Sequence, residues 1–120
     1  MTVYIDDMYL RPTGKFGWMK MSHMVADTEA ELHAMADAIG VKRKWYQGDH
    51  YDVSLRKRGE AIRAGAVAIT QRQLGIMTMV RRKEKLDAYP APEEAERLWA
   101  AQIAETAAKH KPVLDRVLNQ

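Results

Sequence analysis

The chain has 120 residues, a formal net charge of +3 and no cysteine. A chain of this length suits one domain around one core, burying roughly two-thirds of its unfolded surface. The missing cysteines exclude disulfides, thiolate metal sites and cysteine nucleophiles, so any metal would need His and carboxylate ligands. No apolar run approaches the roughly 20 residues that cross a bilayer, and "MTVYIDDMYL" lacks the parts of a secretory signal, so a cytoplasmic protein without a membrane partner is expected.

The charge is segregated along the chain. Residues 1–40 carry three basic and six acidic side chains, residues 41–86 twelve and four, and residues 87–120 four and six. The middle block attracts phosphates, nucleic acid or an acidic surface, unless its Lys and Arg are simply the solvated faces of helices.

In chain order, "TVYIDD" alternates and is rich in β-branched and aromatic residues, predicting a strand that ends at Asp6 and Asp7. "RPTGKFG" reads as a loop, and "WMKMSHMV" as a second strand with Met19, Met21, His23 and Val25 on one face. "TEAELHAMADAIG" predicts a helix over about 29–39, with a capping box from Thr28 to Glu31 and a stop at Gly40. "VKRKWYQ" is a short strand or an extended loop. Ser54 starts a helix to about Ala64, with Leu55 and Ile62 on one side; "AVAIT" is a compact strand; Thr70 and Gln73 form a second capping box that opens a helix with Leu74, Met77 and Val80.

"AYPAP" is a break, followed by an Ala-rich helix that Pro112 interrupts. Its narrow stripe of Leu98, Trp99 and Ile103 either packs back onto the domain or joins a partner chain, a second copy included. The order predicts an α/β fold, a small mixed sheet flanked by helices, organised as a core over 1–86 and a helical C-terminal extension over 87–120.

Four polar groups bear chemistry. Asp6 and Asp7 end a strand, where ligands of open α/β sheets gather, and either could hold a metal or act as a base; the plain alternative is a turn-forming pair. His23 is a packed core residue or a proton-transfer group. His33 has Glu29 and Asp37 one turn away on either side, so it is solvated helix surface or an imidazole oriented by carboxylates. In "GDHYDVS", His50 and Asp52 point to one side of an extended segment and Tyr51 to the other, just before a helix start whose free amides attract anions and whose first turns carry Arg56 and Arg58; the plain alternative is that Asp52 or Ser54 caps the helix, Tyr51 packs and His50 is incidental. Trp45, Tyr46 and Tyr51 interleave with Lys42, Arg43 and Lys44, a mixture that stacks on bases and holds phosphates, though ordinary loops carry it too. Gly-rich phosphate loops, nucleophile elbows, zinc helices and calcium loops are missing from the sequence.

"TVYIDDM", the stretch "W-x-x-x-x-HMVADTEAELHAMADAIG" and "GDHYDVS", followed by "GAVAIT-x-R-x-L", occur in an order that resembles the bacterial and phage domain-of-unknown-function family four-zero-three-one. The resemblance spans roughly residues 2–75. It implies that Asp6, Asp7, Trp18, His23, Asp27, Glu31, Leu32, His33, Gly40, His50, Tyr51 and Asp52 occupy motif positions, and it implies no activity. Combined with the polar groups, it gives the expectation of a pocket gathering Asp6 or Asp7, His23, His50 and Asp52. That pocket receives a phosphate-bearing ligand, a nucleotide or nucleic acid, with Arg56, Arg58 and the helix start neutralising phosphate and Tyr51 or Trp45 stacking on a base. If it is catalytic, His50 or His23 serves as general base or ligand of a divalent metal, in phosphoryl-type hydrolysis. The competing expectation is a non-catalytic binder that uses the basic block and the C-terminal helix.

Overall fold

A computed structural model describes residues 2–119. Its strands are β1 (Val3–Ile5), β2 (Lys15–Phe16), β3 (Met19–Ala26), β4 (Tyr51–Ser54) and β5 (Val67–Ala68). The helices are α1 (Glu29–Ala38), α2 (Leu55–Arg63), α3 (Gln71–Lys83) and α4 (Pro92–Leu118).

Together the strands form a five-stranded mixed sheet around β3, which pairs antiparallel with β1, β2 and β4, while β5 adds to β1 in parallel. The fold is α/β, as the order of elements predicts. The expected loop at residues 11–17 holds a 3-10 turn over Pro12–Gly14 and then β2, whose tight return through Gly17 makes it a hairpin with β3. Of the two expectations for "VKRKWYQ" the strand fails: Arg43–Trp45 form a 3-10 turn, and the strand in this part of the chain is β4, which begins at Tyr51, just after His50.

Strand alternation divides the interior into two cores. Val3, Ile5, Met24, Ala26, Tyr51 and Val53 point to the face covered by α1 and α2, where they meet Leu32, Ala36, Ile39 and Ala61. Tyr4 and Val25 point to the other face, covered by α3 with Leu74, Ile76, Met77 and Val80. Each fully buried large side chain contributes roughly 1.5–3 kcal/mol, so both faces hold the sheet.

Helix ends follow local chemistry. α1 and α2 both stop in a left-handed glycine, Gly40 at φ +76° and Gly65 at φ +110°, and the next amides, of Val41 and Ala66, reach back to the Ala36 and Ala61 carbonyls. Thr70 and Gln73 close the predicted capping box of α3. At Thr28 the box stays open: its hydroxyl takes the Glu31 amide, but the Glu31 carboxylate turns to that same hydroxyl at 2.9 Å instead of the backbone.

Two apolar expectations fail. Leu55 and Ile62 remain exposed, because α2 approaches the sheet through the small side chain of Ala61. Pro112 does not end the last helix, which runs unbroken for 27 residues; an isolated proline removes one hydrogen bond, and on an exposed helix water satisfies the freed carbonyl. Ala95 joins the second core with Leu98 and Trp99 against it, whereas Ile103, Val113 and Val117 are exposed. Among the described residues no helix is long and apolar enough to cross a membrane.

Candidate functional site

The same alternation that buries Tyr51 and Val53 sends His50 and Asp52 to the α3 side of the sheet. β4 pairs His23 of β3 directly with Asp52. Asp6, just past β1, donates its amide to the His23 carbonyl at 3.0 Å, so the strand end delivers its carboxylate to the same place. Asp6, His23, His50 and Asp52, distant in sequence, meet on one face because they lie on, or one residue beyond, three adjacent strands in register.

Three side chains are each fastened at the outer end and free at the inner one. His23 Nδ1 lies 2.8 Å from Asp6 Oδ2, His50 Nδ1 lies 2.6 Å from Asp49 Oδ1, and the Gln47 side-chain amide donates to Asp52 Oδ2 at 3.0 Å. The inner atoms converge: Asp52 Oδ1 stands 3.8 Å from His23 Nε2 and 3.4 Å from His50 Nε2. That Asp52 oxygen is buried and has no hydrogen-bond partner among the described residues. The imidazole rings meet edge to face with centroids 5.1 Å apart.

Asp6 itself is fully buried. Its Oδ1 accepts the backbone amides of His23 at 2.8 Å and Met8 at 3.1 Å while Oδ2 holds the imidazole. Both oxygens are engaged, so Asp6 acts through His23 rather than as a free base in the cleft. The hydrogen bond to Asp6, with the charges of Asp6, Asp52 and Asp49, raises the His23 pKa above its ordinary value despite partial burial, which acts the other way.

His23 and His50, with Asp6 and Asp49 behind them, line a cleft of about 510 Å³ between the sheet and α3, whose far wall includes Gln71, Arg72, Ile76 and Met79, while Asp52 lies beneath the two imidazoles at the edge of a neighbouring hollow. Tyr89, Thr78 and Asp49 also border an adjoining cleft of about 590 Å³, with Arg81, Arg82 and Lys85 on its rim. Arg81 is committed to structure, stacked 4.4 Å over Tyr89 and bonded to the Asp27 and Asp87 carbonyls. Arg82 and Lys85 have no carboxylate within ion-pair distance among the described residues.

This geometry separates the expected site residues. Asp6, His23, His50 and Asp52 come together. Asp7 does not: it turns away and accepts the Gln71 amide at 2.7 Å, serving the start of α3. His33 lies on the opposite face of the sheet, buried between the Tyr51 hydroxyl at 2.7 Å and Glu29 at 3.0 Å, so a carboxylate does orient it, but towards the core. Tyr51 is wholly buried and cannot stack on a ligand. Trp45 lines a separate hollow with Phe16 and Met21 that touches Asp52 from the strand edge.

The start of α2, with Arg56 and Arg58, does not join the cluster. It packs on the α1 side of the sheet; Arg56 is exposed beside Glu60, and Arg58 donates to the Asp6 carbonyl at 2.8 Å and lies over Tyr9. Strand alternation puts the start of that helix and the imidazoles on opposite faces. The cations that do border the clefts belong to α3 and the turn after it.

The family model described as "Protein of unknown function (DUF4031)" matches residues 3–83. The chain belongs to the DUF4031 family. The match takes in every side chain of the cluster and the covering helix α3, and leaves α4 outside. No curated protein and no solved structure shows significant similarity to this DUF4031 chain. Two other motif residues have structural positions: Asp27 binds the amides of Thr2 and Tyr89, and Trp18 is the exposed tip of the β2–β3 hairpin.

Sequence reasoning missed Asp49 and Gln47, which fasten His50 and Asp52. A neighbouring carboxylate beside His50 was the available signal. It also missed Arg72, Arg82 and Lys85, since nothing local to α3 tells which strand face it covers.

Proposed function

We propose that this DUF4031 protein hydrolyses a phosphate ester in the cleft between the sheet and α3, with His23, His50 and Asp52 activating the attacking water. The reading rests on one observation: two imidazole nitrogens, each anchored behind by a carboxylate, converge on a buried Asp52 oxygen beside a cleft that Arg72 borders. Positioned groups of this kind remove a proton from water as its oxygen bonds to phosphorus, and the departing ester oxygen takes up a proton. Arg82 and Lys85 in the adjoining cleft support a substrate carrying phosphate, whereas Arg72 on the rim is paired with Glu96 at 3.2 Å and would have to exchange that partner. A nucleotide or a nucleic-acid end fits that chemistry.

The test is a panel of phosphomonoesters, phosphodiesters and nucleotides, with turnover and affinity measured separately. His50→Ala and Asp52→Ala should lower turnover by about 100-fold or more while retaining most of the affinity, and Arg82→Ala should weaken affinity first. The exposed second half of α4 favours the other reading, a binder that uses its basic surface and last helix. That binder would be indifferent to both alanine changes in the cluster.

A further inference from the structure

Three carboxylates (Asp6, Asp49 and Asp52) surround two imidazoles. Neutral imidazoles would aim lone pairs at the Asp52 oxygen, and the local excess of negative charge would repel a phosphate. Something positive must sit among the inner atoms for the arrangement to be favourable; protons on the rings meet that need in part, and a divalent cation meets it fully.

We infer that His23, His50 and Asp52 form a divalent transition-metal site of the zinc type, with Asp6, Asp49 and Gln47 holding the three ligands in position. The three residues offer ligand atoms that all lie within 4.8 Å of one another. Donors about 2.0–2.2 Å from a tetrahedral zinc stand about 3.3–3.6 Å apart. The His50–Asp52 separation of 3.4 Å already meets that span, and the His23–Asp52 separation of 3.8 Å needs a contraction of a few tenths of an ångström.

The outer anchors are those a metal site requires. A ligating imidazole gives its other N–H to a carboxylate, which fixes the tautomer, and a ligating carboxylate is itself hydrogen-bonded; both histidines and Asp52 meet this. Two imidazoles disfavour magnesium and calcium, which prefer oxygen donors, and suit zinc and its first-row neighbours. Three protein ligands leave a coordination position facing the cleft, where a metal-bound water has a pKa near 7. The use of that water on a phosphate ester rests on the hydrolase reading above; the ion site does not.

The experiment uses the untagged full chain, stripped with a chelator and titrated with zinc chloride alone. Calorimetry should give one tight equivalent, and imidazole nitrogen NMR should show His23 and His50 shifting at Nε2 while His33 and His110 stay in place. His50→Gln and Asp52→Asn should each weaken binding by about 100-fold, and Asp6→Asn, which acts through His23, by about 10-fold. Unmoved His23 and His50 resonances in the wild-type protein would overturn the site whatever the variants do, as would variants that bind like wild-type. Zinc on these nitrogens without turnover of any phosphate ester would remove the hydrolase reading and keep the ion; turnover in the stripped protein, with His23 and His50 unmoved by zinc, would do the reverse.

Discussion

His23 stands where two opposite demands meet: Asp6 behind it stabilises the protonated ring, while the cleft in front needs a bare Nε2. Its raised pKa comes first from the 2.8 Å hydrogen bond to Asp6, then from the charges of Asp6, Asp52 and Asp49, with His50 as the remaining titratable neighbour. A folded-state pKa above the unfolded value means that protonated His23 stabilises the fold fully below about pH 6.5 and that this contribution is lost as pH rises through the folded value. In metal-free protein, Asp6→Asn should lower the His23 titration midpoint seen by NMR and cost about 2–4 kcal/mol in denaturant unfolding, with the gap to wild-type narrowing as pH rises. An unchanged midpoint would separate Asp6 from His23. On the other face, Tyr51→Phe leaves the buried His33 Nδ1 without its hydroxyl partner; a loss of about 1–2 kcal/mol with the zinc affinity unchanged is the expected result, and a large loss of affinity would mean that the two faces are coupled.

β3 and β4 show why part of this site was readable and part was not. A strand's period of two is visible in sequence, so the shared direction of His50 and Asp52 and the opposite direction of Tyr51 followed from spacing alone, and His23 could be assigned its face among Met19, Met21 and Val25. Which face of the sheet each helix covers is decided by connection and packing, which leave no local mark. That is why the sequence alone associates the start of α2 with His50 and Asp52, which in the fold lie on opposite faces of the sheet, and gives no sign of the cations of α3. His33 was ambiguous for a similar reason: it borders the apolar stripe of α1, and only Tyr51 across the interface decides that it is buried. Because α3 roofs the cleft, its start matters to the site. Thr70→Ala, which opens the capping box, should cost about 1 kcal/mol by thermal or denaturant unfolding, and no measurable cost would show that α3 is held by its core contacts alone.

The molecule as a whole measures 61 × 32 × 23 Å, elongated by a final helix whose 27 residues reach about 40 Å. Ala95, Leu98 and Trp99 tie its first turns to α3, and the exposed later turns add little to the fold. Removing residues 109–120 should leave the unfolding midpoint nearly unchanged, whereas Trp99→Ala should cost about 1–3 kcal/mol; a collapse of the shortened chain would assign the distal helix a structural role. The sequence suggested an extension beyond residue 86, and its composition could not say that the first half of that extension belongs to the second core. What unites the molecule is a sheet with its core on both faces and one polar gap, at His23, His50 and Asp52, opening beneath α3. Crystals grown with zinc and a nucleotide, examined by anomalous scattering, test this most directly. A metal peak is expected about 2.0–2.2 Å from His23 Nε2, His50 Nε2 and Asp52 Oδ1, with phosphate between it and α3. Metal elsewhere on the surface, or phosphate seated at the start of α2 beside Arg56, would contradict it.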